Sequence, residues 1–498
     1  MGDTFGSAMT VAKPTVPEDD SMIRMSASLL AILAAAPGLA ADFGAEVDAM
    51  LAARSAELFG IAAPLAASAP ASAEEGYRTE TQEPSDQVAL AAGLSAEYVT
   101  RAAANHYDMM AFWPAETPTH LVACIEGEVE EIAAGKPNPS IQSIDLATGE
   151  VKTLLRGMDR CDGIRTTAWG TILATEETDD GAAYEILDPL ALDNAVVSDR
   201  ASGTVSDPAR IARRPALPVM AWEGLTVTPE GVVIGGDELR PGTAAADVDG
   251  GAMFKFVPAV AHAGGVITSL DASPLASGKS YAMQVSCVKG KIQAGQGCEI
   301  GNAAWIEIDP ANARADADAR GATGYYRPED LHADPTYAGP GPRFCWTNTG
   351  NEGASHFGEV VCGIDSDPMA TPQPDAEGKL AMTVAVNRFI EGDREFNSVD
   401  NLAFQPGTGI LYVVEDHDNG DIWACLPDGA DRDIRSDGCI RMLSVKDTSA
   451  EPTGFIFSPD GMTAYVSIQH SDDTNMAKVS DYATDDLIRI SGFKMPAN

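Results

Sequence analysis

A short β-rich pattern recurs along this chain and restricts the folds that the chain can adopt. Each copy has a polar pair, alternating apolar residues, a turn containing Pro or Gly, and a second apolar run that ends in polar groups. The three clearest copies are WEGLTVTPEGVVIGGDE from Trp222, VDNLAFQPGTGILYVVED from Val399 and PTGFIFSPDGMTAYVSIQ from Pro452. Apolar alternation on both sides of a turn is typical of paired, half-buried strands. The pattern therefore predicts a series of β-hairpins.

Three further copies are less regular, and together the six define a long repeat. Their equivalent starts, separated by steps of 54, 61, 106, 71 and 53 residues, are Asp108, Asp162, Glu223, Glu329, Asp400 and Thr453. Units of about 50–70 residues with several short strands have the size of β-propeller blades. We expect an all-β fold with six blades. Seven blades are the alternative, if the step of 106 residues holds two blades rather than one blade with an insertion.

The same repeat predicts a convergence of acidic side chains. The innermost strands of a propeller line its central channel, so Asp162, Glu223, Glu329 and Asp400 should point into one space. Clustered carboxylates repel each other by several kcal/mol at low effective dielectric, and bound cations would relieve this repulsion. Three acidic pairs end the companion strands and either join this ring or stay in water: Glu176–Glu177, Asp237–Glu238 and Glu415–Asp416.

The charge of the chain excludes some classes of partner. The formal net charge is −41, from 33 basic and 74 acidic residues. A surface of this kind repels nucleic acid and anionic lipid, so we expect neither as a partner. A negatively charged substrate would need a local patch of metal or arginine.

The N-terminal region predicts export and sets the domain boundaries. Arg24 precedes the apolar run SLLAILAAAPGLA, and Gly38 and Ala40 supply small residues before a cleavage site. The run is too short to span a membrane. We therefore expect a signal peptide with an upstream extension over 1–40, a helix and linker over 41–86, and the propeller over 87–498. The mature protein should be periplasmic or extracellular.

The eight cysteines fit an oxidising compartment. Three pairs of neighbours could each close a hairpin or a short loop: Cys287 and Cys298, Cys345 and Cys362, and Cys425 and Cys439. Cys124 and Cys161 remain. They either bond to each other or leave the Cys161 sulfur available for another role.

Several motifs, from about residue 90 to the C-terminus, carry a family resemblance. They are CDGIRTTAWGTILATEE, WEGL, IGGDE, YRPEDL, FNSVDNLAF and EPTGFIFSPDG with the later IQH. Together they resemble PhoX-type alkaline phosphatases. The resemblance implies an exported six-bladed propeller that hydrolyses small-molecule phosphate monoesters at a site containing ferric iron and calcium. We also expect a monomer.

The resemblance also implies roles for individual residues. Cys161 corresponds to a cysteine that ligates iron, and Arg327 to the arginine that binds the substrate phosphate. Asn401 and Thr453 are expected as polar neighbours of Arg327. The expected carboxylate ligands are Glu176, Glu177, Glu223, Asp237, Glu238, Glu329, Asp400 and Glu451.

Three positions depart from the family pattern. Arg24 stands alone where twin arginines are usual, Trp222 replaces a histidine, and Ala168 replaces a proline. Two other functions therefore stay open on the same scaffold. One is a non-catalytic, calcium-stabilised binding propeller. The other is a hydrolase of a different ester, such as a phosphodiester, phosphotriester or lactone.

Overall fold

The structure is a computed structural model that describes residues 43–74, 76–242, 249–288, 291–293, 295–427, 438–476, 478–479 and 482–496. The expected signal peptide at 1–40 lies outside these residues. The α-helices are α1 (Phe43–Ala53), α2 (Ser55–Leu58), α3 (Pro84–Gln87) and α4 (Ala313–Ala319). Five short 3₁₀ helices lie at Pro189–Ala191, Leu270–Ala272, Pro274–Ala276, Pro310–Asn312 and Glu352–Ala354. Within the described ranges, every helix is too short or too polar to cross a membrane.

Mainly antiparallel sheets make up the rest of the described regular structure, with one parallel pair between β8 and β12. Two of the sheets come from the first half of the chain. One contains, from its inner to its outer edge, β3 (Tyr107–Trp113), β4 (His120–Ile125), β7 (Pro139–Asp145), β8 (Val151–Arg156), β12 (Ala195–Asp199) and β13 (Thr204–Val205). Another contains β9 (Cys161–Thr166), β10 (Thr171–Glu176), β11 (Ala183–Leu187) and β14 (Ile211–Arg213). The hairpin formed by β5 (Glu131–Ala133) and β6 (Lys136–Pro137) is separate.

A ten-stranded sheet occupies the middle of the chain. It begins with β15 (Trp222–Val227), β16 (Val233–Asp237), β17 (Gly251–Pro258), β18 (Gly278–Ser286) and β19 (Gly301–Ile308). From β19 it continues through β24 (Val384–Glu391), β23 (Glu359–Asp365) and β22 (Arg343–Asn348) to β21 (Pro328–Ala333), while β20 (Gly324–Tyr325) pairs with β17. The β19–β24 pairing joins two strand groups that would otherwise be separate sheets.

Two further sheets include strands from the N-terminal part of the described chain. The first contains β25 (Val399–Phe404), β26 (Leu411–Glu415), β27 (Asp421–Cys425), β28 (Cys439–Val445) and β1 (Val88–Leu90). The second contains β29 (Glu451–Phe457), β30 (Thr463–Gln469), β31 (Thr484–Ser491) and β2 (Ser95–Ala104). Strands β1 and β2 thus close the arrangement with long-range pairings.

Six strands form the centre of the molecule. In the order β3, β9, β15, β21, β25 and β29, each contacts the next, and β29 contacts β3. Apolar clusters fill the spaces around these sheets; Tyr412, Phe455, Phe457 and Phe493 stack in one of them. The predicted all-β, propeller-like architecture is therefore confirmed.

Each of the six central strands has a β-bulge near its start. Between Cys161 and Ile164 the chain advances three residues, while the partner strand advances two, from Glu176 to Ala174. The same offset occurs in the other five central strands. A bulge adds one unpaired residue and redirects the local side chains. In this fold it lies where the polar residue of each repeat was predicted.

Four disulfides link described residues. Cys345–Cys362 and Cys425–Cys439 each connect adjacent strands of one sheet, and Cys287–Cys298 closes a separation of 11 residues. The fourth joins Cys124 on β4 to Cys161 on β9. Disulfides of this number are typical of proteins that fold in an oxidising compartment.

Candidate metal and substrate site

A cavity of about 850 Å³ lies at one mouth of the central channel. Arg160, Arg327 and Lys478 are the basic residues in its described lining, apart from two histidines, His106 and His470. The acidic residues are far more numerous: Asp108, Glu126, Glu128, Glu130, Asp162, Glu177, Glu223, Glu329, Asp400, Asp416 and Glu451. The cavity therefore concentrates negative charge in a partly enclosed space.

The innermost acids come from equivalent positions of the repeat. Five central strands place an acid as their second residue: Asp108, Asp162, Glu223, Glu329 and Asp400. The bulge of the sixth, β29, has Gly454 at this position, directly after Thr453. The residues that sequence spacing selected as equivalent starts thus supply the inner ring in five of six copies, hereafter the carboxylate ring.

The carboxylate ring and its neighbours form three groups whose oxygens could share a cation. In each group the ligand atoms lie within 4.8 Å of one another; the groups are Asp108–Glu126–Asp162, Asp162–Glu177–Glu223 and Glu223–Glu329–Asp400. Asp162 Oδ1 and Glu329 Oε2 are buried and have no hydrogen-bond partner among the described atoms. Hard carboxylate oxygens suit calcium and similar cations. The donor set therefore fits hard multivalent cations.

Electrostatics supports this assignment. Burial, followed by repulsion from neighbouring acids, raises the pKa values of Asp108, Asp162, Glu223 and Asp400 well above their ordinary range. Burial also raises the pKa of Glu329, although Arg327 opposes the shift. Each raised pKa indicates that the protein alone stabilises the carboxylate anion poorly. A bound cation would supply the missing stabilisation.

The acidic pairs divide between the cavity and the body of the fold. Glu177 and Asp416 line the cavity, whereas Glu176 does not. Glu176 is buried and accepts a hydrogen bond of 2.8 Å from Arg200 Nε. Successive side chains of a strand point to opposite faces, so two adjacent acids cannot both face the channel from one strand.

The two acids of the Asp237–Glu238 pair contact different arginines, and neither lines the cavity. Asp237 is buried and receives two hydrogen bonds from Arg314, of 2.8 and 2.7 Å, and one from the Ala221 amide. Glu238 instead accepts a hydrogen bond of 2.6 Å from Arg327 Nε. Of the predicted ligands, Glu176 and Asp237 thus serve as partners of arginines away from the cavity.

Arg327 contacts the carboxylate ring at Glu329. Besides its bond to Glu238, its Nη2 lies 3.2 Å from Glu329 Oε1 and 3.5 Å from Asp416 Oδ2. Its backbone has φ of 56°, in the left-handed region that a non-glycine residue enters at some cost. Such strained positions cluster at functional sites. The predicted substrate-binding arginine therefore lies at the cavity wall.

Asn401 and Thr453 are buried behind the carboxylate ring. Thr453 Oγ1 lies 2.6 Å from Asp108 Oδ1 and 2.7 Å from Asn401 Oδ1. Asn401 Oδ1 also accepts a hydrogen bond from the Gly454 amide. Neither residue lines the cavity. Both are placed to orient Asp108 and the bulge of β29 rather than to contact a substrate.

Glu451 lines the cavity on the side of the last sheet. Burial raises its pKa to about 7, and the hydrogen bond with His470 opposes this rise. Its Oε1 lies 3.3 Å from His470 Nε2. The predicted ligand is therefore at the site, paired with a histidine.

Cys161 requires a correction. It was expected to present a thiolate to iron, but its Sγ is bonded to Cys124 Sγ, with the Cα atoms 5.0 Å apart. Strands β4 and β9 are neighbours, so the two cysteines come within bridging distance. The metal ligand form of cysteine is the thiolate, which a disulfide sulfur lacks. The alternative left open by the sequence, a bond between these two cysteines, is the one that this structure contains.

Sequence reasoning missed Glu126 and Arg160. Arg160 contacts both Glu126 and Glu177 through Nη2, and Glu126 Oε2 accepts a hydrogen bond of 2.8 Å from Gln469. Glu126 directly follows β4, as Glu177 follows β10. An acid directly after a strand therefore marks this position in the first copy of the repeat. The pattern of that copy is too weak for the position to be recognised from the sequence.

Comparisons with known proteins identify a related family and a similar fold. The family model described as "Alkaline phosphatase PhoX" matches residues 244–472. The solved structure of Pseudomonas fluorescens PhoX in complex with vanadate, a transition state analogue, is 16% identical with a TM-score of 0.54, covering 86% of this chain and 97% of that chain. At this identity the likeness concerns the fold.

Two other solved structures are less similar. A gluconolactonase from Xanthomonas campestris is 12% identical, covering 86% of this chain and 99% of that chain, with a TM-score of 0.38. The PQQ-bound aldose sugar dehydrogenase from Streptomyces coelicolor is also 12% identical, covering 81% and 99%, with a TM-score of 0.40. No curated protein matched the chain. With the family match over residues 244–472, the resemblance of this chain to PhoX-type alkaline phosphatases is confirmed.

Proposed function

We propose that this protein hydrolyses phosphate monoesters in a metal-dependent reaction and releases inorganic phosphate. The observation that carries the proposal is the carboxylate ring, with buried, unpartnered oxygens on Asp162 and Glu329, beside Arg327 at the cavity wall. The match to the PhoX family supports a phosphatase rather than a binding protein. The vanadate in the Pseudomonas fluorescens structure is consistent with phosphoryl chemistry on this fold.

The residues of the chain divide the work. Asp108, Asp162, Glu223, Glu329 and Asp400 would hold cations, with Glu126, Glu177 and Glu451 at the edge of the group. When bound, such cations would neutralise charge on the phosphoryl oxygens and lower the pKa of water. Arg327 donates hydrogen bonds to the phosphate and fixes its orientation. The remaining cavity accommodates the alcohol part of the ester.

We assign calcium to the carboxylate groups because oxygen ligands suit it. Ferric iron is the other cation that the family resemblance implies. While Cys161 is cross-linked to Cys124, iron would have to be held by carboxylate oxygens as well. Metal analysis of protein purified without added metal or chelator identifies the cations directly.

We interpret the fold as a six-bladed propeller. The six central strands, each with the same bulge, support this count. The ten-stranded sheet then corresponds to two blades whose outer strands, β19 and β24, pair with each other. We further propose that the protein acts as a monomer in the periplasm or outside the cell, where its four disulfides would persist.

Hydrolysis of p-nitrophenyl phosphate tests the function. We expect turnover by the untreated protein, loss after chelation, and recovery when calcium, alone or with iron, is restored. A phosphodiester, a phosphotriester and a lactone serve as comparison substrates. Faster turnover of one of these would replace the monoesterase assignment. Calcium binding without turnover of any ester would instead identify a binding propeller.

A further inference from the structure

The cavity extends beyond the carboxylate ring, and two segments of the chain line most of its outer part. The first is 125–139, which lies between β4 and β7 and contains the separate β5–β6 hairpin. The second is 469–483, which begins at the end of β30. The sheets that carry these segments are neighbours, because β29 contacts β3. An ester bound with its phosphate at the ring would place its alcohol part between the two segments.

The first segment brings two glutamates to this outer part. Glu128 and Glu130, hereafter the acidic wall, line the cavity and are exposed. Arginine and lysine are scarcer in the described lining. Arg327 contacts the ring, Arg160 contacts two carboxylates beside it, and Lys478 lies in the second segment. The outer part of the cavity therefore has more negative than positive charge.

Hydrogen bonds fix the backbone of the acidic wall. The Asn138 side chain donates to the Glu128 carbonyl oxygen at 2.9 Å and accepts from the Glu130 amide at 3.0 Å. The Asn138 amide also donates to the Glu130 carbonyl oxygen at 2.8 Å. Between the two glutamates, the Val129 amide donates to Asp159 Oδ1 at 3.2 Å. The two charges are thus held at the cavity mouth, although their side chains are exposed.

The inner end of the same cavity has independent features of a ligand site. Asp162 Oδ1 and Glu329 Oε2 are buried and have no hydrogen-bond partner among the described atoms, and both residues line the cavity. With cations and a phosphate group at this inner end, any other group of the ester lies toward the acidic wall. A second anionic group would then meet like charge, which is how an interface rejects a wrong partner.

We propose that Glu128 and Glu130, held in place by Asn138, select phosphate monoesters whose alcohol part is neutral or cationic and disfavour esters that carry a second anionic group. This rests on the proposed phosphatase function, because it concerns the alcohol side of the same site. It goes beyond that function by naming the substrate class and the residues that set it. Because both glutamates are exposed, we expect discrimination of about tenfold at low ionic strength, decreasing with salt.

Two esters of nearly equal size test the proposal on the full chain. Glycerol 3-phosphate has a hydroxymethyl group where 3-phosphoglycerate has a carboxylate. We expect kcat/KM to be about tenfold higher for the glycerol ester at low ionic strength, and the ratio to fall as sodium chloride is added. Cations at the ring would attract the more anionic ester and would make the ratio rise with salt instead. A ratio that stays constant or rises would overturn the proposal.

Variants separate the acidic wall from the intrinsic reactivity of the two esters. In Glu128→Gln/Glu130→Gln we expect the ratio to fall about tenfold relative to the wild type, because both charges are removed. Asn138→Ala should lower the ratio although both charges remain, and Lys478→Ala should raise it. An unchanged ratio in the double variant would overturn the proposal.

The matched control is Glu131→Gln. Glu131 lies on β5 of the same hairpin and is exposed, but it does not line the cavity. Its substitution changes the net charge by the same amount per residue, and we expect the wild-type ratio. An equal fall of the ratio in this variant would indicate a general effect of charge and would overturn the role of the acidic wall.

Turnover of p-nitrophenyl phosphate reports the phosphatase function separately. If no ester is hydrolysed, calorimetric affinities of glycerol 3-phosphate and 3-phosphoglycerate, in the wild type and in Glu128→Gln/Glu130→Gln, carry the same test. Tighter binding of the glycerol ester, lost in the double variant, would support the acidic wall while rejecting hydrolysis. Equal affinities, or binding of neither ester, would overturn the proposal.

Discussion

Adjacent acids of equal charge have different roles in this protein because of the strand face on which each lies. Glu176 and Asp237 form buried ion pairs with Arg200 and Arg314. Their neighbour Glu177 lines the cavity, and Glu238 contacts Arg327, which lines it as well. Burial raises the pKa values of Glu176 and Asp237, and their arginine partners oppose the rise. Burial and neighbouring acids raise the pKa of Glu177 further, and a bound cation would oppose that rise.

Substitution of Glu177 should therefore affect metal binding, whereas substitution of Glu176 should affect the stability of the fold. We expect Glu177→Gln to weaken calcium binding by at least about tenfold, a loss of the size seen when a metal site loses a supporting group. Glu176→Gln should keep calcium affinity but lower the free energy of unfolding by about 1–3 kcal/mol, since Arg200 loses a charged partner. Calcium titration and denaturant unfolding measure the two effects. Equal loss of calcium affinity in both variants would contradict the division of the pair.

Replacement of Arg327 should affect phosphate binding and turnover. We expect Arg327→Ala to lower kcat/KM for p-nitrophenyl phosphate by about 10²–10³-fold, the loss typical of removing one donor from a developing charge. Arg327→Lys should retain part of the activity, because an ammonium group supplies charge without a planar pair of donors.

The control for Arg327 is Arg314→Lys. Arg314 pairs with Asp237, the last residue of β16, whereas Arg327 pairs with the next residue, Glu238. Arg314 does not line the cavity. Its replacement should leave kcat/KM unchanged at a temperature where the variant is folded. Steady-state kinetics with circular dichroism checks both variants. An unchanged kcat/KM in Arg327→Ala would remove this residue from the site.

At the scale of the element, the bulge near the start of each central strand explains why the acids converge. Five of the bulges place an Asp or Glu at the channel, and the sixth places Gly454 there. A side chain at Gly454 would meet the Asp108 carbonyl oxygen at 2.3 Å. Glycine at this position therefore permits close approach of β29 to β3, and Thr453 contacts Asp108 from the preceding position.

Strand β31 contains two adjacent acids with opposite effects on stability. Burial raises the pKa of Asp485 to about 7, and its Oδ1 has no partner among the described atoms. Asp486 is also buried, but hydrogen bonds from Arg78 and Arg101 lower its pKa below the ordinary value. A raised carboxyl pKa costs stability increasingly between the ordinary value and pH 7, whereas a lowered one adds stability above the ordinary value.

We therefore expect Asp485→Asn to raise the free energy of unfolding at pH 8, by an amount on the order of 2 kcal/mol. The gain should become small near pH 4, because the carboxyl group is then protonated in the folded state and only partly ionised in the unfolded state. Asp486→Asn should instead lower stability at pH 8 by about 3–5 kcal/mol, because it leaves two arginines without their charged partner. Denaturant unfolding from pH 4 to pH 8 measures both. A pH-independent effect of Asp485→Asn would contradict the assignment.

At the scale of the whole molecule, the chain has a net charge of −41, and the charged residues that line its cavity are mainly acids. Bulk salt screens exposed charges but acts weakly on buried ones. Cations bound inside the carboxylate ring would create a local positive region, and only such a region lets an anionic ester approach. The same cations would hold the central strands together.

Removal of metal should lower the stability of the entire fold. We expect chelation to lower Tm and added calcium to restore it in a concentration-dependent way. At a calcium concentration of 100 times Kd, each site should add about 2.7 kcal/mol to the free energy of unfolding. Sodium chloride at matched ionic strength is the control, because it screens surface charge without filling the ring. Differential scanning calorimetry measures the shifts. An equal rise in Tm with sodium chloride would indicate screening rather than specific binding.

The repeat in the sequence located much of the site in advance. Asp162, Glu223, Glu329 and Asp400 were predicted to converge from their equivalent positions, and all four line the cavity. Thr453, the sixth equivalent start, lies behind the ring, where it contacts Asp108, and Asn401, expected from the family resemblance, lies there too and accepts a hydrogen bond from Gly454. Spacing along the chain identifies strand starts; it does not identify the direction of each side chain around a bulge.

The amino-acid sequence by itself determined the all-β repeat, its acidic starts and the excess of negative charge, since these depend on local alternation and composition. Tertiary structure decided which acid of each pair faces the cavity, that Glu126 and Arg160 join the site, and that Cys161 is bonded to Cys124. Those outcomes depend on strand register and on contacts between separate sheets. Residues far apart in the chain meet only when the central strands close into a ring.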